Sequence, residues 1–283
     1  MALPDDFRAA SRSRWSGQAA GWEARRDLLR TTTMPVSAWL IDALDPQPGH
    51  NLLELAAGVG DTGLLAAELI APGGTLICSD FSPEMLATAQ RRAEELGVHN
   101  VRFKQIDAES SIDLEAASLD GVLCRWSYML MADPESALRE TRRVLKPGAR
   151  VALAVWAGAE DNPWSVLPNQ AMTERGIGIQ GDPDAPHQFT WAREGLVTEN
   201  LAAAGFTEHH VEALEFTIDY SSTADWWDAQ SDLSTRFSAA LRQAGDADVK
   251  AVRATVERHA ERFTAADGTL RIPARTWVAW GTA

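Results

Sequence analysis

Glu54, Gly58, Gly60, Asp80 and Asp107 combine three acids with two glycines in an order that suits a nucleotide-like ligand. Leu52-Leu53-Glu54-Leu55-Ala56 reads as an apolar strand interrupted by one acid, and Ala57-Gly58-Val59-Gly60-Asp61-Thr62-Gly63 follows as a loop poor in side chains. A loop of this kind lets the backbone approach a nucleotide-like cofactor. Gly58, Gly60 and Gly63 also spell the G-x-G-x-x-G dinucleotide fingerprint, which would serve an NAD(P)-dependent oxidoreductase. Glu54 favours a different ligand, because a carboxylate within an apolar strand must find a donor or a positive charge. Glu54, directly or through water, is expected to receive the ammonium group of S-adenosylmethionine. Thr75 to Asp80 ends in a carboxylate about 20 residues beyond the glycines, placed to take both hydroxyls of an adenosine ribose. Val101 to Ile106 ends in Asp107-Ala108-Glu109, where Asp107 can accept from an exocyclic adenine amine while a neighbouring amide faces the ring nitrogen.

These residues need a scaffold that brings strand ends to one edge. Strand-like runs at 52–56, 75–79, 101–106, 119–125 and 150–156 alternate with helix-like runs that include 83–96 and 134–145. Such alternation predicts an α/β fold, a Rossmann-like, mostly parallel sheet of seven strands with helices on both faces. Thr33 is expected to cap a helix from Pro35 to Leu44, stopped by Asp45-Pro46-Gln47-Pro48-Gly49. Five segments follow: an N-terminal helical lid (1–48), a cofactor-binding core (49–157) and a loop-rich insertion over the pocket (158–190), with Gly158, Pro163, Pro168, Gly181 and Pro183; then the rest of the sheet (191–220 and 273–283) and a helical cap (221–272). The cap is expected as two helices, 223–243 and 246–263, inserted between the last two strands, 210–218 and 276–280.

With these motifs the chain resembles class I S-adenosylmethionine-dependent methyltransferases of the ubiquinone/menaquinone-biosynthesis-like small-molecule group. The resemblance rests on Glu54 to Gly60, Asp80-Phe81-Ser82-Pro83-Glu84-Met85-Leu86, Asp107-Ala108-Glu109 and Leu145-Lys146-Pro147-Gly148-Ala149, across roughly 35–156. It implies S-adenosylmethionine as cofactor, with Phe81 and Met85 packed on the adenosine and Gly58 and Gly60 admitting the methionine part. It also implies an aromatic of the N-terminal helix, Trp15 or Trp22, closing over the sulfonium. Ala56 departs from the pattern where a first glycine is more usual, and Ala149 where a second is common. The expected cofactor set is Glu54, Ala56, Gly58, Gly60, Asp80, Phe81, Met85, Asp107, Ala108, Glu109 and Arg125.

Methyl transfer from a sulfonium is an in-line displacement by an activated donor, so alignment and exclusion of water matter most. Trp15, Trp126 and Trp156 are expected in the acceptor pocket, and His187, Tyr128 and Tyr220 are candidates for a base. His209 and His210 open their strand at the opposite edge and read as structural. Eleven tryptophans suggest a flat or apolar acceptor, methylated on O, N or C. A regulatory or partner-binding role on the same fold stays open. A net charge of −14 argues against a nucleic-acid substrate. Cys124-Arg125-Trp126-Ser127 carries neither the Asn/Asp-Pro-Pro-aromatic signature of amino-methylating nucleic-acid enzymes nor carboxylates for a metal. Cys78 and Cys124 read as buried thiols, Met1 to Ala10 lacks a leader pattern, and no apolar run reaches about 18 residues, so a soluble cytoplasmic protein is expected.

Overall fold

The computed structural model describes residues 4–178 and 185–283; Gly181 and Pro183 of the expected insertion lie outside them. Two helices, α1 (Pro4–Ala24) and α2 (Arg26–Leu44), precede β1 (Asn51–Glu54). There follow α3 (Asp61–Leu69), β2 (Thr75–Asp80), α4 (Pro83–Leu96), β3 (Val101–Gln105), β4 (Leu119–Arg125), α5 (Pro134–Val144) and β5 (Leu145–Trp156). The C-terminal half holds α6 (Pro163–Glu174), α7 (Leu196–Ala203), β6 (His209–Tyr220), α8 (Thr223–Leu233), α9 (Thr235–Gln243), α10 (Asp246–Ala260) and β7 (Leu270–Thr282).

The seven strands form one sheet in the order β3-β2-β1-β4-β5-β7-β6. β1 to β5 pair in parallel, and β7 runs antiparallel between β5 and β6, so β6 again points the way of β5. The central strands are buried on both faces, which is why they read as apolar runs rather than alternating ones. Successive side chains still divide between two cores. Leu52, Leu123, Ala152 and Ala154 face α2, α3 and α4, whereas Leu53, Val122, Val151 and Leu153 face α5, α7 and the C-terminal helices. Chain order reverses between β1 and β4, and in open α/β sheets a ligand crevice forms at that switch point, outside the carboxyl ends of the strands.

Local signals explain the boundaries around that crevice. α4 starts where Ser82 Oγ accepts from the Met85 amide at 3.2 Å with Pro83 in the first turn, and stops at left-handed Gly97. Several expectations need correction. α2 begins at Arg26 and carries Pro35 in its interior, so Thr33 does not cap it. α6 occupies 163–174, within a stretch expected to be loop: Pro163 sits in the first turn, where its missing N–H costs nothing. The first cap helix breaks into α8 and α9 at Ser234, whose hydroxyl accepts from the Phe237 amide. β6 and β7 are longer than expected, and β7 takes Leu270 to Ile272 from the segment assigned to the cap. Among the described residues no helix is long and apolar enough to cross a membrane.

Candidate active site

The loop after β1 builds the floor of the crevice. Ala56, Gly58 and Gly60 have φ of 51°, 57° and 85°, so alternate residues are left-handed and the chain coils tightly into α3. Ala56 carries a Cβ in that conformation, at a cost of about 1–2 kcal/mol. The Gly58 amide donates to Asp80 Oδ2 at 2.9 Å, and the Ser82 amide donates to Asp80 Oδ1 at 2.9 Å. Asp80 thereby ties the loop to the end of β2. Burial pushes its carboxyl up to about 6, against the pull of those amides.

The crevice measures about 950 Å³ with its open mouth included. Glu54, Ala56, Gly58, Asp80, Phe81, Met85, Asp107, Ala108, Glu109 and Arg125 line it, as do Trp15 and Trp126. Ser127, just past the end of β4, lines it as its place at that strand end implies, and Ser11, Leu130 and Met131, which the sequence does not single out, line it too. Ser11, Trp15 and Trp22 share one face of α1 at helical spacing, a signal present in the sequence. Trp22 lies over Gly58, its ring carbons 3.9 Å from where a Cβ there would stand, and Trp15 meets it edge-on at 5.5 Å between centroids. The Trp22 indole is held by an Nε1 hydrogen bond to the Leu233 carbonyl at 3.2 Å.

At the end of β1 a buried charge cluster faces the crevice. Glu54 is 3% exposed, and its Oε2 has no hydrogen-bond partner. Gly63 of α3 packs directly on this carboxylate, so a Cβ at that position would collide with it. The third glycine of the G-x-G-x-x-G spelling is therefore spent on making room for Glu54. Burial pushes the Glu54 carboxyl up to about 8, opposed by the Arg125 charge and by the Gly63 amide. Arg125 is held by α2, its Nη1 donating to the hydroxyls of Thr33 and of Ser37, the latter at 2.9 Å. Its Nη2 stands 3.8 Å from Asp61 Oδ2, another buried oxygen without a hydrogen-bond partner. Burial raises the Asp61 carboxyl and lowers the Arg125 guanidinium.

Not every expected residue reaches the crevice. Gly60 caps α3 behind the loop. Trp156 stacks on the far side of Trp126, ring centroids 4.1 Å apart, and backs the wall rather than forming it. Tyr128 is fully buried, bonded to Thr141 Oγ1 at 2.7 Å and stacked on Trp191. Tyr220 is buried against Trp226. Burial raises both phenols, against the pull of their hydrogen bonds with Thr141 and Gln230. His187 sits in a turn where Nδ1 accepts from the Phe189 amide at 3.1 Å, and burial with nearby Arg236 lowers its pKa. None of these three lines the crevice. Among the described residues no group of three or more His, Cys, Asp or Glu is placed to hold a metal.

Residues 55–153 match the family described as methyltransferase domain. Demethylmenaquinone methyltransferase of Thermus thermophilus is 40% identical over 187 residues, 62% of this chain and 82% of that protein. A ubiquinone/menaquinone biosynthesis C-methyltransferase of Pasteurella multocida is 32% identical over 130 residues, and that match spans about half of each chain, 46% of this one and 48% of the relative. In fold, a Bacillus halodurans protein described as a methyltransferase superposes with a TM-score of 0.55 at 19% identity, over 87% of this chain and 97% of that one. The chain belongs to the class I S-adenosylmethionine-dependent methyltransferases, in the ubiquinone/menaquinone-biosynthesis-like group.

Proposed function

We propose that the chain moves the methyl group of S-adenosylmethionine, by in-line displacement, to an O, N or C atom of a small apolar or aromatic acceptor. The observation that carries this reading is the unpartnered Oε2 of buried Glu54 beside Arg125 at the switch point of the sheet. A buried carboxylate oxygen next to a guanidinium with free N–H groups matches the ammonium and carboxylate of an amino acid. In this reading Glu54 receives the ammonium and Arg125 the carboxylate, while the Ala56 to Gly60 loop lies against the methionine portion. Asp80 takes the ribose diol, Phe81 and Met85 pack on the base, Asp107 accepts from its exocyclic amine, and Ala108 and Glu109 border it.

When bound, the cofactor supplies an activated methyl on a sulfonium. The protein's own part is to align and to exclude water. Trp22 and Trp15, on the lid formed by α1, cover the crevice above Gly58, and Trp126 offers a flat wall backed by Trp156. Between them an apolar or planar acceptor is sheltered, with the hydroxyls of Ser11 and Ser127 at hand. Trp126 keeps a left-handed φ of 59° and is pinned by its Nε1 donating to Thr276 Oγ1 at 2.9 Å, which supports a functional reason for the strained backbone. The acidic net charge supports small-molecule rather than nucleic-acid acceptors, and the free buried thiols of Cys78 and Cys124 support a reducing, cytoplasmic setting.

Calorimetry with S-adenosylhomocysteine and with NAD, followed by mass spectrometry of a panel of phenols, amines, enolisable carbon acids and polar aliphatic amines, tests the reading. Tight binding of the first ligand alone and methylation confined to flat or apolar acceptors are expected. NAD binding, or preference for polar aliphatic acceptors, would overturn it.

A further inference from the structure

The carboxylate assigned to the base is gripped from two sides. Asp107 Oδ1 accepts from the Glu109 amide at 3.2 Å, and Oδ2 takes Arg12 Nη2 from α1 at 3.3 Å. Arg12 also lies over the Phe81 ring, its guanidinium carbon 5.8 Å from the centroid, and its buried Nε has no partner. Asp107 and Phe81 line the crevice, and so does Ser11, next to Arg12; Arg12 itself does not. The guanidinium therefore holds Asp107 from outside, leaving the inward lone pairs for a ligand. One turn further on, Ser16 Oγ meets Ser82 Oγ at 3.0 Å, beside the residue that follows Asp80 and Phe81. Arg8, one turn earlier, adds positive charge facing Asp107 and Glu109. At its other end α1 is anchored on the cap, where Arg25 binds Asp225 at 2.7 Å and Asp232 at 2.6 Å.

From this geometry we infer that Arg12 is a positioning residue of the cofactor site, which orients the Asp107 carboxylate toward the base and couples docking of the α1 lid to occupancy by an amine-bearing purine. The inference rests on the placement of the base at Asp107 given above. The bond at 3.3 Å is at the long end of the range, and Arg12 is 42% exposed, so in the empty protein the pair is screened and weak. A base seated on Asp107 displaces water from the carboxylate and strengthens its attraction to Arg12. By reciprocity the pair must then strengthen binding of the base by the same factor. Ordinary helix packing would not distinguish a base with an exocyclic amine from one without it.

The test compares calorimetric affinities of S-adenosylhomocysteine and of S-inosylhomocysteine, in which a carbonyl replaces the amine. Arg12→Ala should weaken the first ligand about 5- to 10-fold and the second less than about twofold. Arg12→Lys should recover part of the loss. In an Asp107→Asn background, Arg12→Ala should add no further loss, a comparison that holds even if one variant is less stable. Hydrogen exchange across α1 should slow on binding S-adenosylhomocysteine in the parent protein, and slow less in Arg12→Ala. An equal loss for both ligands, or none, would overturn the inference. Failure of the parent protein to bind S-adenosylhomocysteine would instead overturn the cofactor reading beneath it.

Discussion

Cofactor affinity should rise with pH because of Glu54. Its carboxyl is held near 8 in the folded chain by burial, against an ordinary value of 4.5, with Arg125 opposing the shift. At pH 6 the group is therefore about 99% protonated, and an incoming ammonium requires it to ionise. Deprotonation two pH units below the pKa costs about 2.7 kcal/mol, and one unit below about 1.4 kcal/mol. The association constant for S-adenosylhomocysteine should thus climb about tenfold per pH unit from 6 toward 8, with close to one proton released per ligand bound. The rise ends near pH 8, where the ligand's own amine starts to lose its proton. Calorimetry in paired buffers of different ionisation enthalpy reads both the affinity and the proton count. Glu54→Gln should abolish the slope and weaken binding at pH 8 by roughly 10- to 100-fold. The same raised value affects the empty protein in the opposite sense. Its contribution is fully present below about 4.5 and is lost as pH rises through about 8, amounting to at most ~5 kcal/mol. Asp80, raised to about 6, acts in the same direction over a lower window. The melting temperature of the empty protein should therefore be pulled down by these groups between pH 5 and 8, and ligand should offset the loss. Affinity that stays flat from pH 6 to 8, with no proton released, would rule out ionisation of Glu54 on binding.

Three further outcomes follow from the loop around Glu54. Gly63→Ala places a methyl group against a buried carboxylate, so stability should fall by about 1–3 kcal/mol in denaturant titrations, together with cofactor affinity; an unchanged midpoint would show that α3 shifts without cost. Ala56→Gly removes left-handed strain but adds freedom to the unfolded chain, for a net gain of about 0.5 kcal/mol; a loss above about 1 kcal/mol would contradict the strain. Asp80→Asn leaves one acceptor oxygen for two amides, Gly58 and Ser82, and should cost about 1–3 kcal/mol of stability and at least about tenfold in S-adenosylhomocysteine affinity. Retained affinity in that variant would remove Asp80 from the ribose site.

Strand ends were legible and side-chain directions were not. Glu54, Asp80, Asp107 and Arg125 could be placed together because parallel strands deliver their carboxyl ends to one edge, a property of topology alone. Tyr128 and Tyr220 lie just past or at such ends too, but both rings turn into the core, and a period-2 pattern cannot say which way a residue after a strand will point. Proline misled twice. Pro35 lies inside α2, so the helix runs back to Arg26 and Thr33 spends its hydroxyl on Arg125 instead of on a helix end. Pro163 starts a helix and Pro168 continues within it, where a run of prolines and glycines had suggested loop. Arg12 carries no local signal, because its partner Asp107 is 95 residues away, a separation that no local pattern encodes.

β6 and β7 form a twelve-residue ladder from His209↔Gly281 to Tyr220↔Leu270, and α8, α9 and α10 all hang from its closed end. The intervening chain, 221–269, thus leaves and re-enters the sheet through two residues already paired to each other, so its replacement would leave every β6–β7 rung in place and remove only the Thr264↔Leu270 bridge. It is not a free cassette, however. Gln18 of α1 and Arg25, which follows that helix, bind Asp232 of α8, and Gly21 is pressed so close to the Asp232 carbonyl that no larger residue fits. A chimera carrying a foreign 221–269 must bring a matching α1 with it: two segments at opposite ends of the chain form one transplantable unit.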